Sequence, residues 1–378
     1  MKTAGRVRGK AAGGGSVGIG VVPTLLLVAI ATILWLVPVD PTWIEQEYAN
    51  RWYLAWQRIV TPAGNLVPVA LFDLLLIGIT LALLIRIFRR LRRAERGRRL
   101  RALGGIVLDV ALAGSLLAMW FSLGWGANYR RVPLRERLDY DRARATPAAA
   151  LEMTRTAVRE MNRLHPLAHA RPWPEPDALA TSLAGAFAEA QRALGQAQAA
   201  APGRPKSTLL QPYFRWAAID GMTDPFFLET LVNRDALAIE RPFLVAHEWS
   251  HLAGYAHEAE ANFFGWAICQ RADTQAQYSA WLSLYWHLVG SVSSPDRRAI
   301  DADLAEGPRR DLRAIVERSQ QSSPHVRVVA WQVYDTYLKA NRVSEGIASY
   351  DGVVALLLGT KFTEDWIPLT KSTADSRH

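Results

Sequence analysis

Three long apolar runs near the N-terminus restrict the fold of this chain more than any other feature. They cover residues 21–39, 66–85 and 102–125 of the 378-residue sequence. The hydrocarbon core of a bilayer is about 30 Å thick and takes roughly 20 helical residues to cross. The hydrocarbon core offers no water to backbone polar groups, and a helix can cross it because it satisfies its own backbone hydrogen bonds. The sequence therefore predicts a three-helix transmembrane region over residues 21–125, and the lipid bilayer is its first expected partner.

The first apolar run also has the basic lead-in of a secretory signal peptide, since Lys2, Arg6, Arg8 and Lys10 precede it. Its apolar core is longer than that of a typical signal peptide, and no small-x-small cleavage site follows it. We therefore interpret residues 21–39 as an uncleaved membrane anchor.

The distribution of basic residues predicts how the helices are oriented. Residues 86–101 carry nine Arg and one Glu, and the net charge of the whole chain is +9. Basic segments beside membrane helices stay in the cytoplasm, so the loop 86–101 and the basic tail 1–20 are expected there. Residues 126–370 then form an extracytoplasmic domain at the cytoplasmic membrane, followed by a disordered tail, 371–378. The rest of the chain is nearly neutral, which gives no reason to expect nucleic-acid binding.

Polar and aromatic residues within this region are expected to have structural roles. Asp73 and Asp109 lie inside apolar runs, where each can pair with an Arg of the basic loop or face another helix. The connection 40–65 offers aromatic rings that suit the membrane–water interface, those of Trp43, Tyr48, Trp52, Tyr53 and Trp56.

The rest of the chain is predicted to be mostly helical with a small β element. Residues 126–145 form a short basic connector, and apolar spacing predicts helices over 147–170 and 178–200 and again in the C-terminal third. Residues 209–233 combine aromatic and β-branched side chains with turn signals, which indicates one or two short strands. The apolar run 277–292 is short for a membrane span and favours a core helix. A single cysteine excludes a disulfide framework within the chain.

The stretch HEWSHLAGYAHEAEAN, residues 247–262, carries the chemistry. On a helix, His247 and His251 are four residues apart and project from one face, where two imidazoles can bind one Zn²⁺. Glu248 lies beside the metal position, which suits a general base acting on water. The apolar lead-in RPFLVA would bury this helix. The sequence therefore predicts zinc as the cofactor.

The third metal ligand has three candidates, because a catalytic zinc site takes three protein ligands. His257 completes H-E-x-x-H-x-x-G-x-x-H, with Gly254 permitting a turn, but all five Met precede the motif and the Met-turn of metzincins is absent. Glu258 opens E-x-x-A-N and shares a helix face with Asn262. Glu260 points about 200° around the helix from Glu258. We favour Glu258 and keep the other two open.

The combination of HExxH with E-x-x-A-N resembles the gluzincin-like peptidases. A bacterial three-span membrane family of unknown function is more similar still, through NYRRVPLRERL, HEWSHLAGYAHEAEANFFG and VYDTYLKANRVSEGIASYDGVVALLL. The resemblance covers most of the chain and implies a zincin-like, extracytoplasmic zinc domain. It implies His247, His251 and Glu258 as ligands, Glu248 as the base, and Asn262 as a residue that steadies a zinc-binding histidine. It implies no substrate.

We therefore expect a membrane-anchored, zinc-dependent metallopeptidase that acts on peptide or protein substrates at the outer face of the cytoplasmic membrane. Glu248 would take the proton of the attacking water and pass it to the leaving amine. The strand-like stretch 221–233 could align a peptide by edge pairing, and the short connector favours membrane-proximal substrates. Candidates for stabilising the oxyanion are Tyr255, His325, Arg342 and Tyr350.

A second class of function stays open, that of a non-catalytic, zinc-stabilised membrane sensor or envelope assembly factor. Closed structural zinc sites have four protein ligands, and His257 or Glu260 could supply the fourth. A structural site has no use for Glu248 beside the metal, so the peptidase is favoured.

Overall fold

The computed structural model describes residues 20–93, 99–343 and 352–371 and confirms a mainly helical fold. The predicted tails 1–20 and 371–378 lie outside these residues, apart from Gly20 and Lys371. The α-helices are α1 (Val21–Leu36), α2 (Pro41–Trp43), α3 (Leu54–Asn65), α4 (Leu71–Arg93), α5 (Arg99–Gly124), α6 (Leu134–Arg137), α7 (Pro147–Ala168), α8 (Pro176–Ala193), α9 (Gln211–Ala217), α10 (Arg241–Leu252), α11 (Glu258–Gln270), α12 (Thr274–Val289), α13 (Ser294–Asp303), α14 (Glu306–Ser319), α15 (Pro324–Ala340) and α16 (Gly352–Gly359). Shorter elements are a π-helical stretch (Ile44–Tyr53), two 3-10 turns (Gly126–Arg130 and Arg142–Arg144) and the strands β1 (Pro205–Lys206), β2 (Gly221–Thr223) and β3 (Thr230–Val232).

Two helices, α4 and α5, are long and apolar enough to cross a membrane, with 23 and 26 residues. The predicted span 21–39 corresponds to α1, which has only 16 residues. At 1.5 Å per residue this helix is about 24 Å long, short of the bilayer core. It passes as a span only together with Pro41–Asn65, and the two are bent by 100° at their break. Pro38 lies at this break, and proline removes a helical donor and disfavours helix in the residue before it. The part of the chain that the structure describes thus has two or three candidate spans.

The Arg-rich segment 86–101 is helical at both ends, and the prediction of a loop there is wrong for those parts. The helix α4 begins at Leu71, later than predicted, and continues to Arg93. Basic side chains in a last helical turn are favoured by the helix dipole. Asp109 pairs with Arg90 at 2.6 Å and with Arg86 at 3.0 Å, which confirms its expected pairing.

The chain divides into two compact units. One is formed by α1 with Leu81–Met119, and the other by Pro38–Thr80 with the chain from Trp120 onwards. In the second unit, Tyr48 is 7% exposed and Tyr53 is completely buried. The assignment of these two tyrosines to the membrane interface is therefore wrong, because both pack in the apolar core of this unit, whereas Trp43 and Trp52 are exposed.

Segments predicted as connections are folded into the second unit. Within 126–145, Arg131 is 8% exposed, and its guanidinium lies 2.7 Å from the Glu45 carboxylate. Because a buried charge needs a partner, this segment is part of the core rather than a loose connector. Asp73 accepts a hydrogen bond of 2.5 Å from the Thr208 hydroxyl, so this acid has a structural role as well.

The core of the second unit contains the helices that carry the histidines. The helix α10 packs on α11, α11 on α12, and α12 on α7.

Thr146 caps α7, accepting from Ala149 N at 3.2 Å, and Pro147 takes the first helical position. Predicted helix 147–170 and core helix 277–292 are confirmed as α7 and α12. The helix α8 stops at Ala193, short of the predicted residue 200, and Gly195 follows in the left-handed region with φ +80.

A small three-stranded sheet confirms the predicted β element, although α9 also forms within residues 209–233. The strand order is β1-β3-β2, with β1 parallel and β2 antiparallel to β3. Thr223 of β2 lies opposite Thr230 of β3. The strand β2 therefore lies at an edge of this sheet, and it packs against α10.

Candidate metal centre

Two glycines allow α10 and α11 to fold back on each other. Gly254 follows α10 with φ +86, a conformation that glycine adopts without strain. A Cβ atom there would lie 2.7 Å from Arg131 Nη1. The turn brings α11 back against α10, where a Cβ on Gly265 would lie 3.0 Å from His247 Cα. The close approach of the helices places Glu258, the first residue of α11, beside the end of α10.

His247, His251 and Glu258 converge, and we call them the α10–α11 cluster. Their potential ligand atoms all lie within 4.8 Å of one another. Glu258 Oε2 is 3.3 Å from His247 Nε2 and 3.7 Å from His251 Nε2. The two imidazole rings are nearly perpendicular, at 89°. The structure therefore brings together the three residues that the sequence favours as metal ligands.

The alternative third ligands make other contacts. The His257 ring lies 5.8 Å from the Tyr129 ring in an edge-on arrangement. Glu260 Oε1 accepts a hydrogen bond of 2.7 Å from Leu134 N. Since α11 begins at Glu258, the side chain of Glu260 projects from a different face. Of the three candidates, Glu258 is the one whose carboxylate lies together with both histidines.

Hydrogen bonds orient the cluster from outside. His251 Nδ1 lies 2.7 Å from Tyr255 O, and because a carbonyl only accepts, Nδ1 carries the proton in the neutral ring and Nε2 is left for a metal. The Tyr334 hydroxyl of α15 donates to Glu258 Oε1. The other oxygen, Glu258 Oε2, is buried and receives no hydrogen bond from the described residues.

The role predicted for Asn262 stays a prediction. Asn262 is 6% exposed. Its Nδ2 atom and the Nδ1 atom of His247 are both buried, and neither has a hydrogen-bond partner among the described residues. The interaction expected between an ExxAN asparagine and a ligand histidine is therefore not formed directly.

The predicted oxyanion-stabilising residues fall in four different settings. Tyr255 is 2% exposed, and its ring packs 4.6 Å from that of Phe264. His325 and Arg342 are exposed, and Tyr350 lies outside the described residues. The hydroxyl that reaches the cluster belongs to Tyr334, which the motif did not reveal. Its signal in the sequence is its place in the terminal segment VYDTYLKAN.

Glu248 is held by the edge strand. It is 3% exposed, and the Thr223 hydroxyl lies 2.9 Å from Glu248 Oε2 and 2.8 Å from its backbone oxygen. A Cβ atom on Gly221 would lie 2.6 Å from Glu248 Oε1, so only glycine leaves the carboxylate in place. Burial raises the pKa of Glu248, against the opposing charges of His247 and His251. A carboxylate with a raised pKa is a stronger proton acceptor.

The cluster attracts positive charge. Burial lowers the pKa of His251, but the Glu258 carboxylate more than offsets it and raises that pKa to about 9. Burial raises the pKa of Glu258, but the charge of His251 outweighs it and holds that pKa well below its ordinary value. In the metal-free protein, a proton on His251 therefore balances the Glu258 charge, and a metal cation can take its place.

Three side chains, which we call the α10 clamp, bind the carbonyls at the end of α10. Carbonyls in a last helical turn lack intrahelical donors, and of these three His251 O also accepts from Gly254 N at 2.9 Å. Tyr53 Oη donates to Leu252 O at 2.8 Å, Trp125 Nε1 to His251 O at 3.2 Å, and Arg131 Nη1 to Ala253 O at 3.2 Å. The clamp fixes the helix end that carries His251.

Fold and site define a mainly helical, membrane-associated protein with a buried His-His-Glu cluster. The chain belongs to the family described as "Protein of unknown function (DUF3810)", whose model matches residues 48–358. The match covers the cluster, Tyr334 and Tyr53. Neither the curated proteins nor the solved structures include a match to the chain.

Proposed function

We propose that the protein is a membrane-anchored, zinc-dependent metallopeptidase with its site on the outer face of the cytoplasmic membrane. The observation that carries this proposal is the convergence of His247, His251 and Glu258 around a buried oxygen that lacks a hydrogen bond. A buried acceptor without a donor is costly, and a cation between it and the two imidazoles would satisfy it. Two histidines and one glutamate form a ligand set found in catalytic zinc sites.

The residues present fit a zinc ion. His247 Nε2, His251 Nε2 and Glu258 Oε2 would hold it, while Tyr334 keeps Glu258 Oε1 engaged. When bound, zinc would supply Lewis-acid polarisation of a carbonyl group and acidify a water molecule. Three protein ligands leave a position for the reacting molecule.

Glu248 would move the proton. Its carboxylate would accept a proton from the attacking water and donate it to the leaving amine. Thr223 and Gly221 of β2 fix its orientation, the first by a hydrogen bond and the second by its missing Cβ. Positioning of this kind contributes strongly to catalysis, because a base displaced by about 1 Å loses roughly 100-fold in rate.

The strand that holds Glu248 also favours a peptide as substrate. In the described part of the chain, β2 pairs on one side only, with β3. An extended peptide could add to its other side by main-chain hydrogen bonds and pass beside Glu248. The membrane helices favour substrates close to the bilayer.

One observation favours the alternative of a zinc-stabilised sensor or assembly factor. The cluster is nearly closed, with side-chain exposures of 13% for His247, 10% for His251 and 5% for Glu258. A substrate needs a wider opening than this. The peptidase proposal therefore requires the surrounding helices to open when a peptide binds.

The test uses the full chain, purified in detergent with an affinity tag that contains no histidine. Zinc content and cleavage of a broad peptide library are measured for wild type, Glu248→Gln and Glu152→Gln, the last being an exposed acid on α7. The expected result is zinc in all three proteins and cleavage by wild type and Glu152→Gln only. Zinc without any cleavage would support the sensor, and wild type without metal at this cluster would overturn both.

A further inference from the structure

A second group of potential metal ligands lies where α7, α12 and α14 meet. His165 is in the last turn of α7 and His169 is its C-terminal cap residue. Asp311 comes from α14. Their potential ligand atoms all lie within 4.8 Å of one another. We call these residues the α7–α14 cluster, and it shares no residue with the α10–α11 cluster.

Both histidines approach the same carboxylate oxygen. His169 Nε2 is 2.9 Å and His165 Nε2 is 3.6 Å from Asp311 Oδ2. Ligand atoms about 2.0–2.1 Å from a tetrahedral zinc ion lie roughly 3.4 Å from each other. The two distances bracket this value. The rings are stacked at 4.3 Å with an angle of 28°, so binding one ion would require a modest rotation of the imidazoles.

An ordinary hydrogen-bond network does not account for all of these atoms. Asp311 Oδ2 receives the Tyr278 hydroxyl at 2.7 Å and His169 Nε2 at 2.9 Å. His165 Nε2 is buried, however, and has no hydrogen-bond partner among the described residues. Gly307 leaves room for the His165 ring, because a Cβ atom there would lie only 2.4 Å from it. A buried imidazole nitrogen without a partner, 3.6 Å from a carboxylate oxygen, calls for an explanation, and a metal ion between the two would satisfy both.

The cluster is reachable from solvent on one side. The His169 side chain is 31% exposed, whereas those of His165 and Asp311 are 15% and 10% exposed. The Trp173 ring lies beside the His169 ring, with centroids 5.6 Å apart and planes at 77°. A metal ion could therefore enter without unfolding the helices, and water could complete its coordination.

We propose that His165, His169 and Asp311 form a second binding site for a divalent transition metal, with zinc the best match to two imidazoles and one carboxylate. A bound ion would link the end of α7 to α14 and so stabilise the packing of these two helices. The proposal does not rest on peptidase activity, because the two clusters use different residues.

The test measures metal binding on the full chain, stripped with a chelator and carrying a histidine-free tag. Zn²⁺ per chain is determined after removal of loose metal, and Co²⁺ is used as a visible probe of tetrahedral N/O ligands. Wild type is compared with His169→Gln, with His251→Gln, with the double variant, and with His325→Gln as an exposed control. We expect two zinc ions per chain in wild type and in His325→Gln. We expect one in His169→Gln, one in His251→Gln and none in the double variant.

The thermal midpoint gives a second readout that does not depend on counting ions. Zn²⁺ should raise the midpoint of the His251→Gln protein, and this increase should disappear in the double variant. His169 is partly exposed, so His169→Gln is expected to fold. If folded His169→Gln and wild type hold the same number of zinc ions, the second site does not exist. If both His169→Gln and His325→Gln lose one ion, binding is by surface histidines in general, which would also overturn the proposal.

Discussion

The two histidine clusters start from the same sequence spacing but have different surroundings. Each has histidines four residues apart at the end of a helix and a carboxylate from another helix. In the α10–α11 cluster, Glu248 follows the first histidine, and the rings are perpendicular. In the α7–α14 cluster, Pro166 takes that position, and the rings are stacked. Spacing therefore predicts a shared helix face, while the neighbouring residues decide whether the face can do proton chemistry.

The tyrosines make the contrast sharper. Tyr334 donates to Glu258 Oε1, the oxygen that does not face the histidines. Tyr278 donates to Asp311 Oδ2, which is the oxygen that both histidines approach. A hydroxyl on the far oxygen orients a ligand, whereas a hydroxyl on the near oxygen competes with a metal for the same lone pairs.

The largest expected difference between the clusters is the pH dependence of stability in the metal-free protein. The pKa of His251, ordinarily 6.5, is raised to about 9, so its stabilisation is complete below pH 6.5 and is lost as the pH rises to about 9. The difference corresponds to about 3 kcal/mol in the free energy of unfolding. Thermal melts with a chelator present should show the midpoint of wild type approaching that of His251→Gln over this range.

The α7–α14 cluster should show the opposite sign. Burial, and then the charge of His169, lower the pKa of His165. Its protonation therefore opposes folding, and stability is gained as the pH rises towards 6.5. Relative to His165→Gln, wild type should become more stable over that range, in the same chelated melts. The stability of wild type relative to His251→Gln should fall with pH, and its stability relative to His165→Gln should rise. If both differences change in the same direction, the predicted electrostatic contrast between the clusters is wrong.

The next effect comes from one glycine beside each cluster. Gly221→Ala would displace the Glu248 carboxylate, since the new Cβ would lie 2.6 Å from Oε1. We expect kcat for peptide cleavage to fall about 100-fold with zinc retained at the α10–α11 cluster. Gly307→Ala would displace the His165 ring and remove only the second metal ion. Metal analysis and kinetics on both variants check this, and loss of the same ion in both would contradict it.

Replacing the tyrosine beside each cluster is expected to have a smaller effect on zinc affinity, and the effect should differ between the two clusters. Tyr334→Phe should weaken zinc binding at the α10–α11 cluster by about 10–100-fold, as expected for an outer partner of a ligand. Tyr278→Phe should leave binding at the α7–α14 cluster unchanged or stronger. Chelator competition measures both affinities. Tyr337→Phe, whose ring stacks 5.8 Å from Tyr334, is the matched control and should bind zinc like wild type.

Asn262→Ala is expected to have the smallest effect. Because Asn262 Nδ2 makes no hydrogen bond in the described structure, we expect zinc affinity to fall by less than the roughly 10-fold that marks the lower limit for an outer partner. Gln270 on the same helix also has an unpartnered buried amide nitrogen, so Gln270→Ala controls for the loss of an amide. A larger effect confined to Asn262→Ala would restore its predicted role at a histidine.

Much of the first cluster could be predicted because its members are close in sequence. His247, His251 and Glu258 lie within one helix–turn–helix, whose periodicity fixes their faces. Tyr334 and Thr223 could not be predicted, since each meets the cluster through one hydroxyl from a distant element. A local pattern carries no information on such contacts.

The second cluster and the membrane region show the same limit. His165 and His169 have a visible spacing, but Asp311 is 142 residues from His169. The apolar runs predicted α4 and α5, whereas the bend after α1 and the burial of Tyr53 depend on how the chain packs. Composition reports that a segment is apolar, and packing decides whether lipid or protein covers it.

The α10 clamp has a consequence for any soluble form of this protein. A proteolytic cut that released the chain from residue 126 onwards would remove Tyr53 and Trp125, and would leave Arg131 without Glu45. An unpaired buried charge costs about 3–5 kcal/mol, Leu252 O would lose its Tyr53 donor, and His251 O would keep only the bond from Gly254 N. Shedding would thus inactivate the proposed metal site, because residues on the N-terminal side of the cut, namely Glu45, Tyr53 and Trp125, hold the end of α10 that carries His251, directly or through Arg131.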